Sequence, residues 1–248
     1  MALSGAWIRE LIELKRTGAL DGARRVVEIG AHQLTNSFLQ AKGELDELYA
    51  LYAVPRPDLG DPKWAGTLNR SELLHAEAPS SQPFWTSLGF TYAAIEYGGH
   101  RSAIALDLNR DAVSFRLRGR FDLVVNAGTT EHVANQDNAF RVMHDLAAPR
   151  GLMMHAVPGG GQMTHGLFCY TLKFFWHLCR ENDYEIIKLR MAPFGIGPPH
   201  PDVVQSNARW GRRDDYPPLP AEIADLGILA ILRKPAARRF VTPLDLPT

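Results

Sequence analysis

Cysteine is nearly absent from this chain: Cys169 and Cys179 are the only two in 248 residues, and they form no CxxC pair. No disulfide framework is indicated, so a reducing compartment, the cytoplasm, is the expectation. Net charge is missing as well. Lys plus Arg and Asp plus Glu each number 27, so no global field draws the protein to nucleic acid or anionic lipid. The basic runs Arg116-Leu117-Arg118-Gly119-Arg120 and Arg212-Arg213 are short, carry acids nearby and read as solvated surface. No apolar run approaches the ~18 residues that a membrane span requires. The first twenty residues interleave charges with Trp7, Ile8, Leu11 and Ile12, the spacing of an amphipathic helix rather than a signal peptide. Neither a nucleic-acid nor a membrane partner is expected, and no internal repeat is visible.

What is present is a 46% apolar chain long enough for one α/β core. The pattern alternates short apolar runs with helical periodicities. A helix at about 5–17 precedes strand one at 25–30, and a long helical segment follows from Gln33 to about Leu51. Residues 54–84 read as loop, because Pro55, Pro57, Pro62, Pro79 and Pro83 break any regular pattern. Strands follow at about 91–97, 103–107 and 121–126, then a helix around 136–147 and a strand at 151–157. A helix at 171–182 is expected to bury Leu172, Phe175, Trp176 and Cys179 and to expose Lys173, His177 and Arg180. Strand six, about 184–191, is followed by a Pro/Gly-rich loop at 192–220 and a last strand at Ile228 to Leu232. Seven strands with interleaved helices mean a doubly wound, mostly parallel sheet. A single domain over 1–248 is expected, with a helical extension at 1–24 and a Pro-rich insertion at about 54–84.

Two segments carry the chemistry. Arg25-Val26-Val27-Glu28-Ile29-Gly30 is an apolar strand with an acid two residues before a glycine, where the chain can turn tightly against a ligand. Phe121-Asp122-Leu123-Val124-Val125-Asn126-Ala127-Gly128 is a buried strand opening into the polar loop Thr129-Thr130-Glu131-His132-Val133. In parallel sheets ligands sit beyond the carboxyl ends of the strands, where both loops fall.

Together these segments resemble the class I S-adenosylmethionine-dependent methyltransferases, over about residues 25–191. The resemblance implies a Rossmann-like sheet of order 3-2-1-4-5-7-6, S-adenosyl-L-methionine as cofactor and a small-molecule or glycan-type acceptor, methylated at a hydroxyl. Glu96, ending strand two, is placed to accept the ribose hydroxyls. It stands much farther from Gly30 than the roughly 20 residues of the compact dinucleotide fingerprint, an excess that the insertion at 54–84 accounts for. By the same resemblance Asp107 accepts from the adenine amino group and Leu108 packs on the ring. Glu28, Gly30 and Ala31 border the methionine end, and Asn126 to Gly128 line its floor. The family's further glycines are replaced by Ala31-His32-Gln33, a bulkier loop that narrows the site or recruits His32 or Gln33. A catalytically silent binding or scaffolding domain is therefore the alternative.

An oxidoreductase is the competing enzyme class, since Asn126-Ala127-Gly128 is similar to a run of the short-chain dehydrogenases. Those enzymes need a GxxxGxG turn and a Tyr-x-x-x-Lys pair, whereas Tyr170 and Lys173 are three apart. For the base that a hydroxyl acceptor needs, histidine suits with its unperturbed pKa near ~6.5. His165, in the glycine-rich loop beyond strand five, is the first candidate and His132 the second. His144 and His155 read as structural. The wide spacings among these four histidines argue against a zinc site, so no metal is expected.

Overall fold

The computed structural model describes residues 2–60, 78–99, 103–160, 165–193, 226–236 and 238–245. Nine strands are described: β1 (Ala2–Leu3), β2 (Arg25–Ile29), β3 (Gln33–Leu34), β4 (Thr91–Glu96), β5 (Ile104–Ala105), β6 (Phe121–Ala127), β7 (Ala147–Pro158), β8 (Glu185–Pro193) and β9 (Leu226–Arg233). Seven of them form one sheet in the order β5-β4-β2-β6-β7-β9-β8. β2, β4, β5, β6 and β7 run parallel, while β9 runs antiparallel to both β7 and β8. Numbered within the sheet, that order is 3-2-1-4-5-7-6, as expected.

Alternation along each strand splits the apolar residues between two cores. Val27, Ile29, Val124 and Met153 face one layer, while Val26, Leu123, Val125, Leu152 and Met154 face the other. The first is covered by the helices Gln136–Leu146 and Leu172–Asn182, through Phe140, Met143, Phe175 and Cys179. The second is covered by the helices Gly5–Arg16, Asn36–Gln40, Lys42–Leu51 and Gln82–Ser87, through Trp7, Ile8, Leu11, Phe38, Leu48 and Trp85. Burial on both faces is why the strands read as unbroken apolar runs.

Local departures have local causes. The helix expected from Gln33 to Leu51 is cut in two. Gln33–Leu34 pairs instead with Ala2–Leu3, Thr35 caps the next turn by accepting from the Phe38 amide, and Ala41 takes a non-helical ψ of 52°. Within the stretch read as loop, Gln82–Ser87 is helical because Pro83 falls in its first turn, where a missing N–H costs nothing. On the helix Leu172–Asn182, His177 is buried and Trp176 only half-buried, the reverse of the expectation. The C-terminal residues crossing that helix explain it: Asp245 pairs with Lys173 and with His177, and Val241 with Asn182. The loop expected at 192–220 lies, from 194 on, outside the described residues. Among those described, no helix is long and apolar enough to cross a membrane.

Candidate functional site

The carboxyl ends of β2, β4, β5, β6 and β7 gather the candidate residues at one edge of the parallel sheet. After β2, Gly30 takes φ +82°, a conformation that side chains rarely adopt, and its amide donates to the Ile95 carbonyl. The next amide, Ala31 N–H, donates to Glu96 Oε1 at 2.9 Å. Glu96 thus stands at the end of β4 as expected, holding the first loop while keeping acceptor capacity. Asp107 lies just beyond β5. Its Oδ1 accepts from the Asn109 amide at 2.8 Å, so it caps its own turn, and the carboxylate stays partly accessible. Leu108 is buried in the core beside Val113 and offers little surface to a ring.

Glu28 corrects an expectation. It does not border an open pocket, because it is fully buried and saturated. The His32 amide, Ser81 Oγ, Trp85 Nε1 and Tyr92 Oη all donate to it at 2.7–2.9 Å. Burial pushes its carboxyl up, but His32 opposite, with the His32 and Ser81 hydrogen bonds, outweighs that and holds it below the usual range. Asn126 is corrected similarly. Its side chain turns inward, donating to Thr130 Oγ1 at 2.9 Å and facing His155 Nδ1 at 3.3 Å, and does not line a floor. Gly128 keeps its place at the loop entry with φ +76°.

Where the loops after β2 and β6 meet, two hydrogen bonds bridge them. Ala127 N–H donates to His32 Nε2 at 3.3 Å, which puts the ring proton on Nδ1, 3.3 Å from Glu28 Oε1. Thr129 Oγ1 donates to the Ile29 carbonyl. His32 is wholly buried there, its ring lying between the two loops.

On the other side of β6 a second cluster forms. The 3-10 turn Thr130–His132 is held from below: the Tyr170 hydroxyl donates to Gln136 Oε1 at 2.6 Å and lies 2.9 Å from Thr130 Oγ1. From above, the amides of Leu167 and Phe168 donate to the Glu131 carbonyl. This brings His165 Nε2 to 3.5 Å and His132 Nε2 to 4.0 Å from Glu131 Oε1. Burial raises the Glu131 carboxyl to about 7 and lowers both imidazoles, His132 further through its neighbour His165. Sequence reasoning named both histidines and missed Glu131. Glu131 stands next to His132 in the sequence, and histidine spacing by itself does not reveal it. His144 and His155 are structural, as expected: His144 Nδ1 meets Tyr184 Oη at 2.6 Å, and His155 is buried beneath Asn126. Tyr170 and Lys173 do not form a dehydrogenase pair, since Lys173 is taken by Asp245.

Comparison with known proteins yields no matching family model and no matching curated relative. Solved structures do align. One is the Burkholderia thailandensis 1,6-didemethyltoxoflavin-N1-methyltransferase bound to 1,6-didemethyltoxoflavin and S-adenosylhomocysteine, at 12% identity over 92% of this chain and 78% of that one, TM-score 0.46. An S-adenosylmethionine-dependent methyltransferase from Archaeoglobus fulgidus aligns at 9% identity over 91% and 93%, TM-score 0.44. An O-methyltransferase from a Brevibacillus brevis polyketide multienzyme, with S-adenosyl-L-homocysteine, aligns at 11% over 92% and 72%, TM-score 0.44. At such identities and TM-scores the likenesses say nothing of substrate. What strand order and direction in this chain show is the fold, a Rossmann-like, mostly parallel seven-stranded sheet of order 3-2-1-4-5-7-6.

Proposed function

We propose that this chain is an S-adenosylmethionine-dependent methyltransferase acting on a small-molecule or glycan-type hydroxyl. One juxtaposition carries the reading. Gly30, Glu96 and Asp107 stand on one side of the strand-order reversal between β2 and β6, and Glu131, His132 and His165 stand on the other. Such reversals are where open α/β sheets bind ligands. When bound, the cofactor supplies a methyl group activated by its sulfonium. Glu96 accepts from the ribose hydroxyls, Asp107 takes the adenine side, and the backbone at Gly30 and Ala31 lies against the cofactor. The acceptor is held by the second cluster, where the half-exposed His165 and His132 assist loss of the hydroxyl proton. Methyl transfer asks little more of a protein than alignment and proton removal.

A second reading, a silent binding domain, is favoured by the bridge of His32 and Thr129 across the crevice. Calorimetry with S-adenosylmethionine, S-adenosylhomocysteine and NADPH separates the cases. Binding of the first two alone supports the methyltransferase. No binding at millimolar concentration leaves the silent domain, and NADPH binding returns the chain to the oxidoreductases. Once binding is seen, a screen of hydroxylated metabolites and nucleotide sugars for release of S-adenosylhomocysteine identifies the acceptor.

A further inference from the structure

Among the described residues, Glu131 has both of its buried carboxylate oxygens without a hydrogen-bond partner. The residue is 0% exposed. A carboxylate buried in this way is costly unless something pairs with it. Two glycines let the chain lie close against it. A Cβ at Gly128 would come within 3.2 Å of its Oε1, and one at Gly166 within 2.9 Å of its carbonyl oxygen and 3.0 Å of its Cγ. The two glycines, with the Leu167 and Phe168 amides on the Glu131 carbonyl, close the chain around it.

What the packing leaves beside the carboxylate are two imidazoles. One potential ligand atom from each of Glu131, His132 and His165 lies within 4.8 Å of the others. The His165 and His132 contacts to Glu131 Oε1 are 3.5 and 4.0 Å, and the two rings sit 5.3 Å apart at 49°. Ligands about 2.1 Å from a tetrahedral centre stand about 3.4 Å from one another. Closure onto an ion therefore needs shifts of tenths of an ångström at the nearer pair. Both histidine side chains are partly exposed, 48% for His132 and 39% for His165, so an ion could enter from solvent without opening the core.

From this we infer that Glu131, His132 and His165 bind one divalent cation of the zinc type, with its remaining positions open to water or to an acceptor oxygen. Two imidazoles and one carboxylate with an open position form a donor set that suits zinc. A bound cation gives the buried carboxylate the partner it otherwise lacks, and it polarises whatever oxygen it takes as a further ligand. Only the acceptor oxygen rests on the methyltransferase reading; metal binding stands apart from it.

The test is titration of the chelator-treated full chain with Zn²⁺ by calorimetry, and with Co²⁺ by visible absorption, in the absence of cofactor and acceptor. One equivalent is expected to bind, with Co²⁺ giving the intense bands of a low-coordinate site. Glu131→Gln and His165→Ala should each weaken that equivalent by more than about 100-fold, since loss of even an outer partner costs about 10–100-fold. Circular dichroism checks that each variant is folded. Should Glu131→Gln not fold, the partly exposed loop residue His165 carries the test alone. No stoichiometric uptake overturns the site. So does uptake that survives both substitutions, which would mark histidines elsewhere on the surface. A wild type that takes Zn²⁺ but no S-adenosylmethionine keeps the site and discards the methyltransferase reading; the converse discards the site alone.

Discussion

Glu28 and Glu131 are both fully buried carboxylates near the carboxyl ends of neighbouring strands, yet their surroundings drive them apart. Four donors converge on Glu28, and despite its burial its carboxyl is held below the usual carboxylate range, chiefly by His32. None reaches the Glu131 oxygens, and its carboxyl is pushed up to about 7. The first is therefore a fastener for the loop that follows it, the second a group waiting for a partner. Glu96 differs from both in being only partly buried, with one contact, to Ala31, from the loop it faces. Its substitution tests the cofactor side directly. Glu96→Ala should weaken S-adenosylhomocysteine binding by about 1.5–3 kcal/mol, the range for hydrogen bonds to a charged group, while the protein stays folded. Calorimetry on the folded variant decides it; an unchanged affinity removes Glu96 from the cofactor site.

At the scale of elements, the Gln82–Ser87 helix shows how a short segment is fixed by side chains rather than by its own length. A helix of six residues is marginal by itself. Here Phe84 and Trp85 are wholly buried, and Phe84 meets Phe38 edge-on at 4.9 Å. Trp85 Nε1 donates to Glu28 Oε1 at 2.7 Å, tying the helix to β2 and so to the candidate cofactor loop. Trp85→Phe keeps most of the apolar packing and removes that donor. It should lower unfolding stability by about 1.5–3 kcal/mol, read from urea midpoints. A loss within error would mean that the Glu28 network does not fasten this helix. The prolines of 54–84 were legible as interruptions, but whether Pro83 opened a helix or continued a loop depended on Trp85 finding a carboxylate 57 positions away.

For the molecule as a whole, two buried histidines make stability fall in acid. Burial lowers His155 to about 3; burial, then the nearby Lys234 ammonium, lowers His144 to about 4. Both lie below the ~6.5 of an unfolded histidine. Above that value neither state takes up a proton and these residues have no effect on stability. As pH falls from about 6.5 toward 4, the unfolded chain gains protons that the native state refuses, so stability drops. Each group should contribute a slope of about 1.4 kcal/mol per pH unit. His155→Gln retains an acceptor for Asn126 and removes one such proton. Urea unfolding between about pH 6 and pH 4.5 should show a shallower loss for the variant than for wild type. Equal slopes would mean that His155 is not held neutral in the native state.

The sequence alone determined the sheet. Short apolar runs at 25–29 and 121–127 read as strands because both faces are buried, and their glycine-ended loops marked the carboxyl edge of the sheet. Gly30 and Glu96 were legible because a tight turn and a strand-end acid leave local signatures. The two imidazoles were legible by residue type alone. What lay beyond one-dimensional reading was orientation. Glu28, Asn126 and Leu108 occupy the expected positions but turn inward: Trp85 and Tyr92 meet Glu28, Thr130 and His155 meet Asn126, and Leu108 joins the core cluster. His32 is buried between the two loops, where Ala127 offers it an amide from 95 positions away. Glu131 meets His165 only because Gly166 lets a distant loop lie on its backbone. Strand formation is a local matter of which residues can be buried. The partner of a buried polar atom is chosen by whatever the folded chain brings within about 3 Å, and that the tertiary structure alone decides.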